Sequence, residues 1–207
     1  MSGGQRFPSS VAGPVAKRFV ELIAPYCDQV EIAGSLRRRL PTVGDIEIVA
    51  VPKIDQRTGG LFADVVSAHD LLADFLDQWW ATGDIQKRLD KNDRPAWGPR
   101  HKRLTYDGIP VDLFTPAEPD RLGIVLVIRT GPAEFSHRLV TPKDQSVVVG
   151  KKPNGHEIRR PGLLPQMYRV QDGWLTFRVS GERIPTPDEA TVFDLLGIDY
   201  AEPWNRG

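Results

Sequence analysis

Residues 34–47 read Gly-Ser-Leu-Arg-Arg-Arg-Leu-Pro-Thr-Val-Gly-Asp-Ile-Glu, and the two acids closing this run constrain the fold more than any other feature. Asp45-Ile46-Glu47-Ile48-Val49-Ala50-Val51 alternates as a strand does, so Asp45 and Glu47 point to one face. Two acids on one face repel each other and lose hydration, so their shared burial is costly unless a cation sits between them. Mg²⁺ suits such hard oxygen ligands and keeps company with phosphates. Just upstream, Gly34 and Ser35 offer backbone N–H groups and a hydroxyl that can cradle a phosphate, and the arginines can neutralise its remaining charge. The run predicts a metal-dependent nucleoside triphosphate site. The competing reading is a solvated strand edge with both acids facing water.

A third acid weighs against that bland reading. Asp112 lies in the extended apolar segment Pro-Val-Asp-Leu-Phe, after an Asp107-Gly108 hairpin signal. Three carboxylates on neighbouring strands can hold two Mg²⁺ ions, with Asp45 and Glu47 touching the metals. Asp112 would ligate the ion that activates the attacking hydroxyl and take that hydroxyl's proton.

Around these acids, apolar spacing predicts a helix from about Ser10 to Pro25, a short strand over 30–33, and a helix over 61–80 carrying His69 on its stripe. Gln56 to Gly60 reads as a loop. Strands are predicted near 85–89, 101–106 and 109–115. Residues 121–129 fit either a helix or a buried strand, and 134–140 a helix. Residues 141–187 are rich in Pro, Gly, Lys and Arg, predicting small strands and loops, and Pro187-Asp188-Glu189 opens a final helix ending at Gly197. The expected fold class is α+β: a mixed or antiparallel-leaning sheet with flanking helices, then a small subdomain. The expected division is a loose end over 1–9, a catalytic domain over 10–130 and the subdomain over 131–207.

The 207 residues carry a formal net charge of +0, so affinity for nucleic acid has to come from local basic patches. Lys87 to Arg103 and Lys143 to Arg160 are two such stretches, each equally readable as solvated surface. Cys27 is the only cysteine, which excludes an intrachain disulfide and a cysteine zinc cluster; it reads as a packed thiol near a helix end. No apolar signal core or membrane-length run is visible, and a cytoplasmic, non-membrane monomer is expected.

Gly34-Ser35-Leu36-Arg37-Arg38, followed ten residues after the serine by Asp45-Ile46-Glu47, resembles the active-site motif of the DNA polymerase beta nucleotidyltransferase superfamily, nearest the family X DNA polymerases. Val111-Asp112-Leu113-Phe114 resembles its third-carboxylate strand. Leu122 through Thr130-Gly131 to Leu139 resembles the segment joining palm to thumb, and Thr186 to Arg206 the end of the thumb. The resemblance implies a palm-like domain and a nucleotide-selecting thumb. It implies Mg²⁺, or Mn²⁺ in its place, on Asp45, Glu47 and Asp112. It assigns the nucleotide to Gly34, Ser35, Arg38, Thr130 and Gly131. The implied reaction adds a deoxynucleotide to a DNA 3′-hydroxyl, on primed or gapped DNA, with release of pyrophosphate, and it suggests a place in DNA repair. Three departures stand out: Glu47 replaces an aspartate, Ile128-Arg129 replaces an aromatic pair, and no room precedes residue 10 for a lyase or helix-hairpin-helix region. The alternatives are transfer to an RNA end, protein or small molecule, and a silent nucleotide- or DNA-end-binding module.

Overall fold

The first half of the sequence builds a sheet and packed helices because its apolar residues alternate in the strands and recur at helical spacing between them. The computed structural model describes residues 5–59, 64–90 and 92–206. The chain divides into two compact units, residues 1–32 with 40–119, and residues 33–39 with 120–207. In chain order the elements are β1 (Phe7–Pro8), α1 (Ser9–Ile23), β2 (Cys27–Ile32), α2 (Gly34–Arg37), β3 (Thr42–Val43), β4 (Ile46–Pro52), β5 (Ile54–Gly59) and β6 (Asp64–Asp70). They continue as α3 (Leu71–Thr82), β7 (Gln86–Lys87), β8 (His101–Tyr106), β9 (Ile109–Phe114), α4 (Leu122–Thr130) and α5 (Ala133–Leu139). The last are β10 (Ser146–Lys151), β11 (Glu157–Pro161), β12 (Tyr168–Gln171), β13 (Trp174–Phe177), β14 (Arg183–Ile184) and α6 (Glu189–Leu196). The fold class is α+β.

The first unit is organised by a five-stranded mixed sheet in the order β2-β4-β9-β8-β7. Its β4–β9 pair is parallel and its other pairs are antiparallel. Helix α1 meets α3 through Phe19 against Trp79, at 5.7 Å between ring centroids, and Tyr26 in the turn after α1 stacks on Phe75 of α3 at 4.2 Å. The buried apolar set Phe19, Ile23, Ile46, Ile48, Leu72, Leu76, Val111 and Leu113 forms the core between these helices and the sheet. Asp107 and Gly108 both take positive φ (52° and 74°), as a two-residue turn matched to strand twist requires. Cys27 opens β2 after a single 3-10 turn, and burial pushes its thiol up to about 12, so it is held protonated and inert.

One stretch departs from the expected helix over 61–80. Residues 61–63 lie outside the described residues, Asp64–Asp70 is a strand paired with β5, and α3 begins only at Leu71. Asp70 supplies the physical reason: its carboxylate accepts the Ala73 backbone N–H at 2.9 Å and caps the helix there. His69 is therefore a strand residue, and 54–59 is a strand rather than a loop.

The second unit buries Ile124, Val127, Leu139, Leu164, Leu175, Val192, Phe193 and Leu196 in one cluster. Helix α4 supplies two of these and α6 three, so the ambiguous run near 121–129 is settled as a helix. Helix α6 starts at Asp188, whose Oδ1 accepts the Thr191 backbone N–H and its hydroxyl, each at 2.8 Å. That bond to the ionised form holds the Asp188 carboxyl below its ordinary range. Asp188→Ala is expected to destabilise the unit by about 1 kcal/mol, the usual value of such a cap, read as a lower thermal midpoint. Among the described residues no helix is long and apolar enough to cross a membrane.

Candidate active site

The parallel pairing of β4 with β9 sets Glu47 opposite Asp112. The antiparallel pairing of β9 with β8 sets Arg103 opposite the same Asp112. The register thus draws Glu47, Asp112 and Arg103 into a row across three adjacent strands. Ile46, Ile48, Val111 and Leu113, the alternating residues, are fully buried on the other face, which leaves the row on the face away from the core. Asp45 precedes Glu47 by two positions at the entry to β4.

Charge at this row is concentrated and partly desolvated. Burial raises the Asp45 carboxyl above the ordinary aspartate range, and the neighbouring charge of Asp112 raises it further. Asp112 is neutralised from the other side: Arg103 donates its Nε–H to Oδ1 at 3.0 Å, and Arg88 donates through Nη1 at 3.4 Å. His101 Nε2 stands 3.9 Å from Oδ2. The donor chemistry fits a hard divalent cation, since every candidate ligand is a carboxylate oxygen and Asp45 carries an unfavourable charge a cation would relieve. Among the described residues no three His, Cys, Asp or Glu side chains are gathered into a ready ligand cage. Arg88 and Arg103 occupy the role of counter-charge to Asp112.

The predicted nucleotide residues fall in the second unit. Gly34 takes φ +64°, a conformation that costs a residue with a side chain, and so turns the chain out of β2 into the single-turn α2. Ser35 is half-buried at the start of that turn. Arg38 donates through Nη1 to the Thr130 carbonyl at 2.6 Å and to the Gly131 carbonyl at 3.2 Å. Gly34, Ser35, Arg38, Thr130 and Gly131 are thereby brought together where α2 packs on α4. The three carboxylates all belong to the first unit.

Sequence reasoning missed an ion network beside this loop. Arg206 donates to both carboxylate oxygens of Glu189, at 2.7 and 3.0 Å, and Arg37 reaches the same carboxylate at 2.7 Å. Arg37 also donates to the Thr130 hydroxyl at 3.2 Å. Burial alone would raise the Glu189 carboxyl, but the hydrogen bonds from Arg206 and Arg37 outweigh it and hold the group below its ordinary range. Nothing in the spacing of residues 37, 189 and 206 signals that they meet. The Arg103–Asp112 pairing, by contrast, was countable: a two-residue turn at 107–108 fixes Tyr106 opposite Ile109, and hence 103 opposite 112.

An α+β unit with a row of carboxylates on the open face of its sheet, joined to a second unit holding a glycine-turned arginine loop, is the arrangement this chain presents. It is 29% identical over 176 residues to DNA polymerase lambda of Rattus norvegicus, an alignment covering 84% of this chain and 28% of that polymerase. The chain thus spans little more than a quarter of the length of that relative. No family model matches the chain. The similarity supports a relationship to the family X, DNA polymerase beta-like proteins.

Proposed function

We propose that the protein is a metal-dependent nucleotidyltransferase that joins a nucleoside monophosphate to a DNA 3′-hydroxyl and releases pyrophosphate. The observation that carries the proposal is the in-register placement of Glu47 and Asp112, with Asp45 two residues before Glu47 and driven up in pKa by burial and Asp112. Similarity to a DNA polymerase over 84% of the chain supports the same reading. Asp45, Glu47 and Asp112 would hold the divalent ions, Mg²⁺ or Mn²⁺, which supply charge stabilisation at the phosphate and an activated hydroxyl. Asp112 accepts the proton of the attacking hydroxyl once it exchanges its arginine partners for that hydroxyl. Gly34, Ser35 and Arg38, with Thr130 and Gly131, hold the triphosphate and its sugar.

Sugar choice is a second matter carried by Ile128 and Arg129. Ile128 packs against the core of the second unit and Arg129 is exposed, so no aromatic ring at these two positions bears on the sugar. The test is incubation with Mg²⁺ or Mn²⁺, labelled deoxy- or ribonucleoside triphosphates, and gapped, primed or single-stranded DNA. Primer extension that requires added metal is the expected result. Transfer to an RNA end, protein or small molecule with none to DNA would replace the acceptor. Nucleotide binding without transfer to any acceptor would sink the enzyme reading.

A further inference from the structure

We propose that the β10–β11 hairpin, residues 146–161, is a duplex DNA contact that grips the phosphate backbone. The proposal deepens the DNA-acceptor reading above and rests on it. The chain as a whole is neutral, yet this ribbon carries Lys151, Lys152, Arg159 and Arg160 against a single acid, Glu157. Every residue from 151 to 161 is exposed. Such a concentration of cations on an unburied ribbon matches a polyanion, because each neutralised phosphate releases condensed counterions.

The ribbon is anchored at its base rather than loose. Val147 is buried, and Arg160 reaches Glu134 on α5 at 3.4 Å. Arg138 donates to the Pro161 carbonyl at 2.9 Å, the Leu163 N–H returns to Arg138 O at 2.7 Å, and the Gly162 N–H donates to Gln145 O at 2.9 Å. Gly162 is packed so closely that a Cβ would stand 2.1 Å from the Thr141 carbonyl oxygen. Cross-strand pairing puts Val148 with Arg159 on one face, together with Lys151 and Glu157, while buried Val147 pairs with Arg160 on the other. The first face therefore points away from the unit. Its Arg159 is tied to Glu157 at 2.8 Å, and Lys151-Lys152 lead into the tip, where the Lys152 N–H donates to His156 O at 2.8 Å.

Duplex is favoured over single-stranded DNA by what the ribbon lacks. Residues 146–161 contain no Phe, Tyr or Trp, and single-strand binding relies on aromatic platforms for unstacked bases. A two-stranded ribbon has the width of a major groove and lays cations along its phosphate edges.

The experiment measures binding of a short fluorescein-labelled duplex, and of one of its strands alone, by anisotropy across a series of KCl concentrations, with the full chain and no nucleotide. Lys151→Ala/Lys152→Ala is expected to weaken binding about tenfold or more and to lower the salt slope by about 2, roughly one per lost phosphate contact. Glu157→Ala is expected to tighten binding by a few-fold, a gain that a merely structural hairpin would not give. Thermal melting of each variant checks that the fold is kept. Unchanged affinity and slope in the lysine variant, with a wild type that binds duplex, overturns the hairpin assignment and leaves the function standing. A wild type that binds no DNA overturns the DNA-acceptor reading itself. Loss confined to single-stranded probes overturns the choice of duplex.

Discussion

Asp112→Ala is expected to reduce nucleotide transfer by about 10²–10⁴-fold or more, the range lost when a positioned proton acceptor is removed. Loss of a metal ligand at the same position acts in the same direction. Folding should change little, because the residue's partners Arg88 and Arg103 have side chains 29% and 32% exposed and can turn to water. Part-exposed ion pairs of this kind contribute on the order of 1 kcal/mol or less. Removing Asp112 also removes a like charge that raises Asp45, which offsets part of that loss. Single-turnover incorporation measured beside thermal melting separates the two effects. Normal incorporation by a natively melting Asp112→Ala protein would dismiss the carboxylate row as the reacting centre.

The largest stability effect is expected at the Arg206–Glu189 pair. The Arg206 side chain is 0% exposed and meets a Glu189 side chain 6% exposed in a bidentate pair. Breaking a buried pair from one side leaves an uncompensated charge and costs about 3–5 kcal/mol. Glu189→Ala, which strands the fully buried Arg206, should therefore lower the unfolding midpoint sharply, and Arg206→Ala, which leaves Glu189 paired with Arg37, should lower it by less. Replacing both with apolar residues of similar volume should recover much of the loss, because neither charge is then stranded. The pH dependence has a definite sign. Glu189 is depressed in the folded protein, so its contribution is complete above the ordinary glutamate range and is lost as pH falls through the depressed folded value. Denaturant unfolding across the acidic range should show this loss in the wild type and a flatter profile in Glu189→Gln. An Arg206→Ala protein as stable as wild type would show that the pair is solvated.

The acids of the candidate site were legible because strand alternation is a short-range rule. Asp45 and Glu47 two apart, and Asp112 after an Asp-Gly turn, follow from period and turn chemistry alone. The final helix was legible for the same reason, from Asp188 at its start to Gly197 at its end. What stayed hidden depends on pairings across long separations. Whether β4 lies beside β9, and which way it runs, cannot be read from either segment, yet that parallel register is what sets Glu47 opposite Asp112. The Arg37–Glu189–Arg206 network is hidden in the same sense. The misread segment at 64–70 failed locally: Val65, Val66 and His69 satisfy helical spacing and strand composition about equally, and the cap at Asp70 decides where the helix begins.

The interposed segment 33–39 has a consequence for any attempt to dissect the molecule. The second unit is not one continuous stretch of chain: it takes Ala33–Arg39 from the middle of the first unit's sequence. A fragment starting at residue 120 would lose Arg37 and Arg38, stripping Glu189 of one of its two cations and the Thr130 and Gly131 carbonyls of their guanidinium donor. Separate expression of the second half would therefore give a weakened domain, restored by supplying the missing segment in trans or by grafting it. The glycine-turned arginine loop is thus an integral folding element of a unit to which it is not adjacent in sequence.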